Sequence, residues 1–402
     1  MAKVMPFRAL RPRPEEAEAI SAPPYDVLST EEARVMASGN PLSFLRVSKP
    51  EIDLPQGTDP YASEVYEKGK VNLTRLQTEG VLIAEEIPSF YLYRQVMGDH
   101  SQIGLVALAE CAQYESGEIK KHELTRPIKE DDRVRHMEAL NSQTGLVFLT
   151  YRAVGAIDEF VAKRAEAKPD YDFTAVDGVR HTAWTVVDDD EISFVRDAFA
   201  DVEALYIADG HHRSAAAARV SKARNGSGGS DGFITVIFPD HQMRILAYNR
   251  VVKTLNGLSQ GEFLCKLDEV FEFVGERQPQ AKNEVALYLG GQWRCLRFKA
   301  DYAVGNTAED SLDVALLQRH VLTPFLGIDD PRTSSCIDFV GGIRGSLELE
   351  KRVDENGWAC AFSMHPTSIG DLLAVADGGG LMPPKSTWFE PKLRDGLFCH
   401  NL

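Results

Sequence analysis

Asp209, His211, His212 and Arg213 fall in the run L-Y-I-A-D-G-H-H-R-S-A-A-A-A-R, Leu205 to Arg219, the most chemically dense stretch of the chain. One carboxylate, two imidazoles and one guanidinium follow an apolar, β-prone segment. The alanines after Arg213 are strong helix formers, and Asp209-Gly210 is turn chemistry. The pattern predicts a strand running through a tight turn into a helix. A helix N-terminus offers unpaired N–H groups and the positive end of a dipole, a ready phosphate site. Asp209 has the chemistry to hold a metal or accept a proton, the histidines to exchange protons, and Arg213 to grip a phosphoryl group. The plainer alternative is a capped turn with structural histidines. Ionisable side chains concentrated at one strand-to-helix turn favour a functional site.

A second cluster occupies Lys120 to Asn141, K-K-H-E-L-T-R-P-I-K-E-D-D-R-V-R-H-M-E-A-L-N. Pro127 is expected to break it, with a helix starting at Asp131 or Asp132. Arg133 and His136 then form an i, i+3 pair on one face, with Asp132 in the same turn. His122, Glu123, Thr125 and Arg126 lie in the extended piece before that helix. A solvated charged face is the competing reading. A third segment, Leu381 to Phe398, is made irregular by Pro383, Pro384 and Pro391 and carries Lys385, Ser386, Thr387, Lys392 and Arg394. It reads either as a phosphate-binding loop or as a strap that packs Trp388, Phe389 and Phe398 on the body. Near the start, S-A-P-P-Y-D-V-L holds Tyr25 and Asp26 on a stiff, extended backbone, with a simple rigid turn as the alternative.

The chain that must position these groups has 402 residues, enough for two or three domains. Its formal net charge of −16 argues against non-specific nucleic-acid binding but permits a local site for an anionic small molecule. No apolar run is long enough to span a bilayer and no signal-peptide h-region opens the sequence, so a cytoplasmic address is the expectation. The six cysteines are scattered with no C-x-x-C pair, which argues against a disulfide framework or a cysteine zinc site; buried apolar side chains are expected. A helix is expected over 60–80, hairpins across Gly98-Asp99 and Gly290-Gly291, strands at 145–152, 232–238 and 244–253, and helices at 261–273 and 311–322. Asn225 to Gly232 reads as a flexible loop. The mixture predicts an α+β fold, divided into 1–240, carrying the site, and 241–402, whose segment 381–398 is a candidate to return to it.

Together the segments resemble the domain of unknown function 1015 family. The resemblance rests on P-P-Y-D-V-L (23–28), K-H-E-L-T-R-P with E-D-D-R-V-R-H (121–136), L-Y-I-A-D-G-H-H-R (205–213), F-V-G-G (339–342) and M-P-P-K-S-T-W-F-E-P-K (382–392). Asn249 stands where a histidine is expected before Arg250, and His365 where relatives tend to carry a small or amide residue. The A-D-G-H-H-R turn is also similar to the ParB/sulfiredoxin superfamily, whose strand-turn-helix cradles nucleotide phosphates and which includes ParB-like free serine kinases. That resemblance implies a nucleotide, ATP or ADP, with Mg²⁺, and phosphoryl transfer to a small hydroxyl-bearing metabolite, free L-serine first. Gly210, His211, Arg213, Lys385, Ser386 and Arg126 would then hold phosphates or a substrate carboxylate. Asp209 would help bind Mg²⁺, Glu123 would be general base and His212 its proton partner. Tyr25, Asp26, His122, Arg133 and His136 would contact substrate. A metal-dependent hydrolase using Asp209, His211, His212 and His122, and a non-catalytic nucleotide-sensing module, are the alternatives; no P-loop sequence is present.

Overall fold

The computed structural model describes all 402 residues. The chain forms two compact units: residues 1–243 with 391–402, and residues 244–390. The second is therefore inserted into the first, and the final residues belong with the first.

The first unit is built on a nine-stranded sheet. Its strands are β1 (Val4–Met5), β2 (Phe90–Met97), β3 (His100–Glu110), β4 (Ile119–Lys120), β5 (Val147–Tyr151), β6 (Tyr171–Thr174), β7 (Arg180–Val186), β8 (Leu205–Asp209) and β9 (Gly232–Pro239). They lie in the order β4-β8-β5-β9-β3-β2-β7-β6, with β1 also paired to β3. Pairs β4–β8 and β5–β9 are parallel and the others antiparallel. Long strands such as β9, G-F-I-T-V-I-F-P, are buried along their whole length, which explains their continuous apolar reading. The hairpin joining β2 and β3 turns at Gly98, whose φ of 62° suits glycine.

Three helices bear on the site: α1 (Ser63–Thr78), α2 (Pro127–Leu140) and α3 (His211–Arg224). Pro127 opens α2 instead of breaking the segment, which corrects the expected start at Asp131 or Asp132. The first helical position has no intrahelical use for an N–H, and the proline φ is already helical. Helix α3 packs on the sheet through Ala216, Ala217 and Val220, among Leu149, Ile207 and Phe233. Its alanine face also lets α2 run alongside it, where Arg219 meets Glu130 at 2.9 Å and Asp131 at 2.7 Å. A four-stranded sheet joins residues 9–12, 82–84, 142–143 and 399–401. It covers a second core of Leu10, Phe44, Leu73, Leu76, Leu140 and Cys399.

The inserted unit contains a six-stranded antiparallel sheet, β10 (Tyr248–Val252), β11 (Phe271–Gly275), β12 (Glu284–Leu289), β13 (Gln292–Phe298), β14 (Ile337–Gly341) and β15 (Cys360–Met364), in the order β11-β13-β12-β15-β10-β14. The β12–β13 hairpin turns at Gly290-Gly291 as read from the sequence, and both glycines have positive φ. The architecture is α+β, and no helix is long and apolar enough to cross a membrane. All six cysteines are free; Cys265 is exposed and Cys336 partly so, while the other four are buried.

Candidate functional site

The β8–Gly210–α3 turn is the centre of the site. Gly210 has φ 96°, a left-handed conformation costly for any residue with a Cβ, so the tight reversal needs glycine. A Cβ here would also lie 3.3 Å from the Val147 Cα and 3.2 Å from the Arg213 Nε. The turn leaves the first amides of the fourteen-residue helix α3 without intrahelical partners, and the dipole adds positive potential there.

Segments distant in sequence converge on this turn. Lys392 lies 3.1 Å from Asp209, and Asp26 lies 3.6 Å from Arg213. The backbone N–H of Arg126 donates to His212 Nε2 at 3.0 Å, drawing the start of α2 to the turn. Asp209 is partly buried, which disfavours its charge, but Lys392 and Arg213 outweigh that and hold it well below the usual carboxylate range.

Arg213, expected to grip phosphate, is deeply buried. Its guanidinium is only 5% exposed, donates to the Leu146 carbonyl and faces Asp26, Asp209 and Asp395. Burial opposes its charge, yet those acids keep it fully protonated. These contacts tie Arg213 to Leu146, Asp26 and Asp209 around the turn. Asp395 carries no expectation from the sequence. It is buried, its Oδ2 has no hydrogen-bond partner, and burial next to Asp26 pushes its carboxyl up to about 7 despite Arg213.

Tyr25 and Arg133 stack, with the guanidinium carbon 3.9 Å from the ring centroid. Arg133 is tied to Asp132 at 2.8 Å, and Asp132 accepts from the Tyr66 hydroxyl at 3.0 Å. These contacts hold the P-P-Y-D segment against α2. His136, expected to touch substrate, instead lies in the interior with Nε2–H donating to the Val47 carbonyl at 2.9 Å; burial lowers it to about 4. Arg133 and His136 thus tie α2 to the segments carrying Tyr25 and Val47.

The two adjacent histidines diverge. His212 faces Arg126, and burial lowers its pKa; with Nε2 accepting from an amide, the neutral ring keeps its proton on Nδ1. His211 turns inward against His122, their rings edge to face with centroids 4.5 Å apart. Burial takes His122 down to about 4, and burial together with His122 holds His211 far below its usual value. One ligand atom from each of His122, Glu123 and His211 can be chosen so that all lie within 4.8 Å of one another. Asp209 and His212 are not in this group, so the expected four-ligand set does not assemble. A single carboxylate neutralised by two cations does not fit an Mg²⁺ on Asp209, because hard cations need several oxygen donors.

Lys385 and Ser386 belong to the inserted unit. There the Lys385 ammonium lies 5.4 Å from the Tyr248 ring centroid, its carbonyl accepts from Arg250 at 3.1 Å, and the Ser386 hydroxyl donates to the Pro383 carbonyl at 2.6 Å. The lysine that reaches the turn in the first unit is Lys392, four residues beyond the P-P-K-S-T-W cluster. A lysine in the same resembling segment was the available signal.

A family model described as protein of unknown function (DUF1015) matches residues 4–315. No curated protein matches the chain. Among solved structures, a conserved hypothetical protein from Pyrococcus furiosus is similar at 11% identity and a TM-score of 0.36, covering 72% of this chain and 93% of that one. A C-terminally truncated SbnI from Staphylococcus aureus is similar at 13% identity and a TM-score of 0.40, covering 74% and 85%. A free serine kinase in complex with AMP is similar at 11% identity and a TM-score of 0.37, covering 71% and 86%.

Proposed function

The chain belongs to the DUF1015 family, and we propose that this member binds the phosphates of a nucleotide at the β8–α3 turn and transfers the terminal phosphoryl group to a small hydroxyl-bearing metabolite, with free L-serine the first acceptor to test. One observation carries the reading: Lys392, the Arg126 backbone and the first amides of α3 meet at a tight turn whose left-handed conformation favours Gly210. Such a turn is preorganised for anions, and phosphoryl transfer asks mainly for positioning and charge neutralisation.

In this reading the amides of His211 to Arg213 and the Lys392 ammonium hold the phosphates, with Arg126 at the exposed edge. Arg213 and Asp26 keep the turn in shape. Glu123 receives the proton of the acceptor hydroxyl as its oxygen bonds to phosphorus and the phosphoanhydride bond breaks; the shortened nucleotide leaves. His212 contributes its Nδ1–H as a donor and not as a base. Asp209 keeps Lys392 aligned, and no step depends on an ion bound to it.

The test is a thermal-shift titration with ATP and ADP, with and without Mg²⁺, on wild type and Lys392→Ala. A ligand bound only by the folded state adds about 2.7 kcal/mol at a hundredfold excess over its Kd. A nucleotide-dependent rise that shrinks in Lys392→Ala supports the site, and phosphorus NMR with L-serine then reads transfer. No rise with either nucleotide sinks the proposal.

A further inference from the structure

We propose that His122, Glu123 and His211 hold one divalent transition-type cation, of the class of Zn²⁺, Mn²⁺, Co²⁺ or Fe²⁺. Three features point to it. The candidate ligand atoms of the three side chains converge within 4.8 Å, close enough to surround a single ion. His122 and His211 are 2% and 5% exposed, and His122 Nδ1 and His211 Nε2 are both buried without a hydrogen-bond partner. Each such orphaned polar atom carries a desolvation cost, and a native interior keeps few of them. The third feature is orientation. His122 is bonded to the backbone of Ile207, on β8 beside the site, which leaves Nδ1 as the free ring position. An outer partner on one nitrogen that fixes the ring and leaves the other bare is how metal-binding histidines are usually held.

The donor set discriminates among ions. Two imidazoles and one carboxylate suit borderline cations, whereas Mg²⁺ and Ca²⁺ favour all-oxygen surroundings. Three protein ligands leave at least one position open, as in catalytic rather than structural zinc sites. The neighbouring candidates are otherwise engaged: His212 Nε2 accepts the Arg126 amide, and Asp209 is paired with Lys392 and Arg213. The ion would join the extended segment before α2 to the first residue of α3. This inference does not rest on the phosphotransfer reading, since a hydrolase or a sensor with the same three groups would bind the ion equally. Where both hold, His122, Glu123 and His211 would hold the ion, and the ion would supply Lewis-acid polarisation of a bound oxygen.

The experiment uses the full chain, stripped with chelator and then titrated with Zn²⁺, Co²⁺ and Mg²⁺ by calorimetry, with Co²⁺ also followed by its visible spectrum. One Zn²⁺ or Co²⁺ per chain is expected, with Mg²⁺ far weaker. Glu123→Gln changes a side chain at the edge of the cluster and serves as the variant that keeps its fold, checked by circular dichroism. It is expected to weaken binding by more than about tenfold, because even outer-shell partners contribute that much. His211→Asn should abolish binding. Absence of a stoichiometric ion, Mg²⁺ bound as tightly as Zn²⁺, or unchanged affinity in folded Glu123→Gln would each overturn the proposal. Because the readout is metal binding without nucleotide, its failure and the failure of the phosphotransfer reading are seen separately.

Discussion

Replacing Gly210 by alanine is expected to destabilise the protein by about 2–5 kcal/mol, and the figure follows from two independent costs. Gly210 sits at φ 96°, and forcing an L-residue into left-handed backbone costs about 1–2 kcal/mol. The added methyl would lie 3.2 Å from the Arg213 Nε and 3.3 Å from both the Arg213 Cζ and the Val147 Cα. Val147 is on a central strand, and Arg213 is caged by carboxylates, so neither yields easily. Overpacking of this kind adds about 1–3 kcal/mol. The assay is urea denaturation of the full chain, with Gly98→Ala as reference. Gly98 also has positive φ, 62°, yet a Cβ there would meet nothing within 4 Å, so only the backbone cost applies. If Gly210→Ala loses no more stability than Gly98→Ala, the close approach of strand and helix at the turn is refuted.

Acid is expected to destabilise the fold between about pH 6.5 and 4. His122 and His136 are lowered to about 4 by burial, so below pH 6.5 the unfolded chain takes up protons that the folded one refuses. At pH 4 the loss is on the order of 3 kcal/mol for His136 alone, and His136→Gln should flatten that part of the urea-midpoint profile if it folds. Asp395 has the opposite sign. With its carboxyl raised to about 7, the folded protein keeps a proton the unfolded chain loses near pH 4, so stability falls as pH climbs from about 4 to 7 and Asp395→Asn is expected to gain on wild type across that range and keep the gain above it. An unchanged difference across that range would dismiss the buried acid. Arg133→Lys should cost about 0.5–2 kcal/mol in denaturation by losing the stack on Tyr25. In the native protein one thiol, Cys265, should react fast with a disulfide reagent, and the four buried thiols only on unfolding.

What the sequence revealed of this protein was local. The run from Leu205 to Arg224 read as strand, turn and helix because apolar β-formers, Asp-Gly and alanines each favour the same state. Both hairpins were marked by Gly98-Asp99 and Gly290-Gly291. Pro127 misled because a proline stops a helix interior and starts a helix with equal ease, and only the packing of α2 on α3 decides which. Helix α1 begins at Ser63, three residues after the start expected at 60. Convergence was not legible in the sequence. No periodicity brings Lys392 to Asp209, 183 positions away, or buries Asp395 beside Arg213, since those contacts exist only once the sheet has formed. The burial of Arg213 has the same origin: its depth is a property of the tertiary structure.

The insertion of residues 244–390 between the two parts of the first unit sets an order of events during synthesis. When residue 243 leaves the ribosome, the nine strands of the main sheet have all been made, but the partner of Ala9–Leu10 and of Ser142–Gln143 has not. That partner, with Lys392 and Asp395 just ahead of it, emerges only after the whole inserted unit. Until then the nascent chain holds an Asp209 without Lys392 and an open edge in its smaller sheet. A nascent chain stalled anywhere in the insert thus has the strands for most of its core while lacking the Lys392 partner of Asp209 and the strand that joins Ala9–Leu10 to Ser142–Gln143. Completion of that turn and of the smaller sheet waits on the last residues to be made.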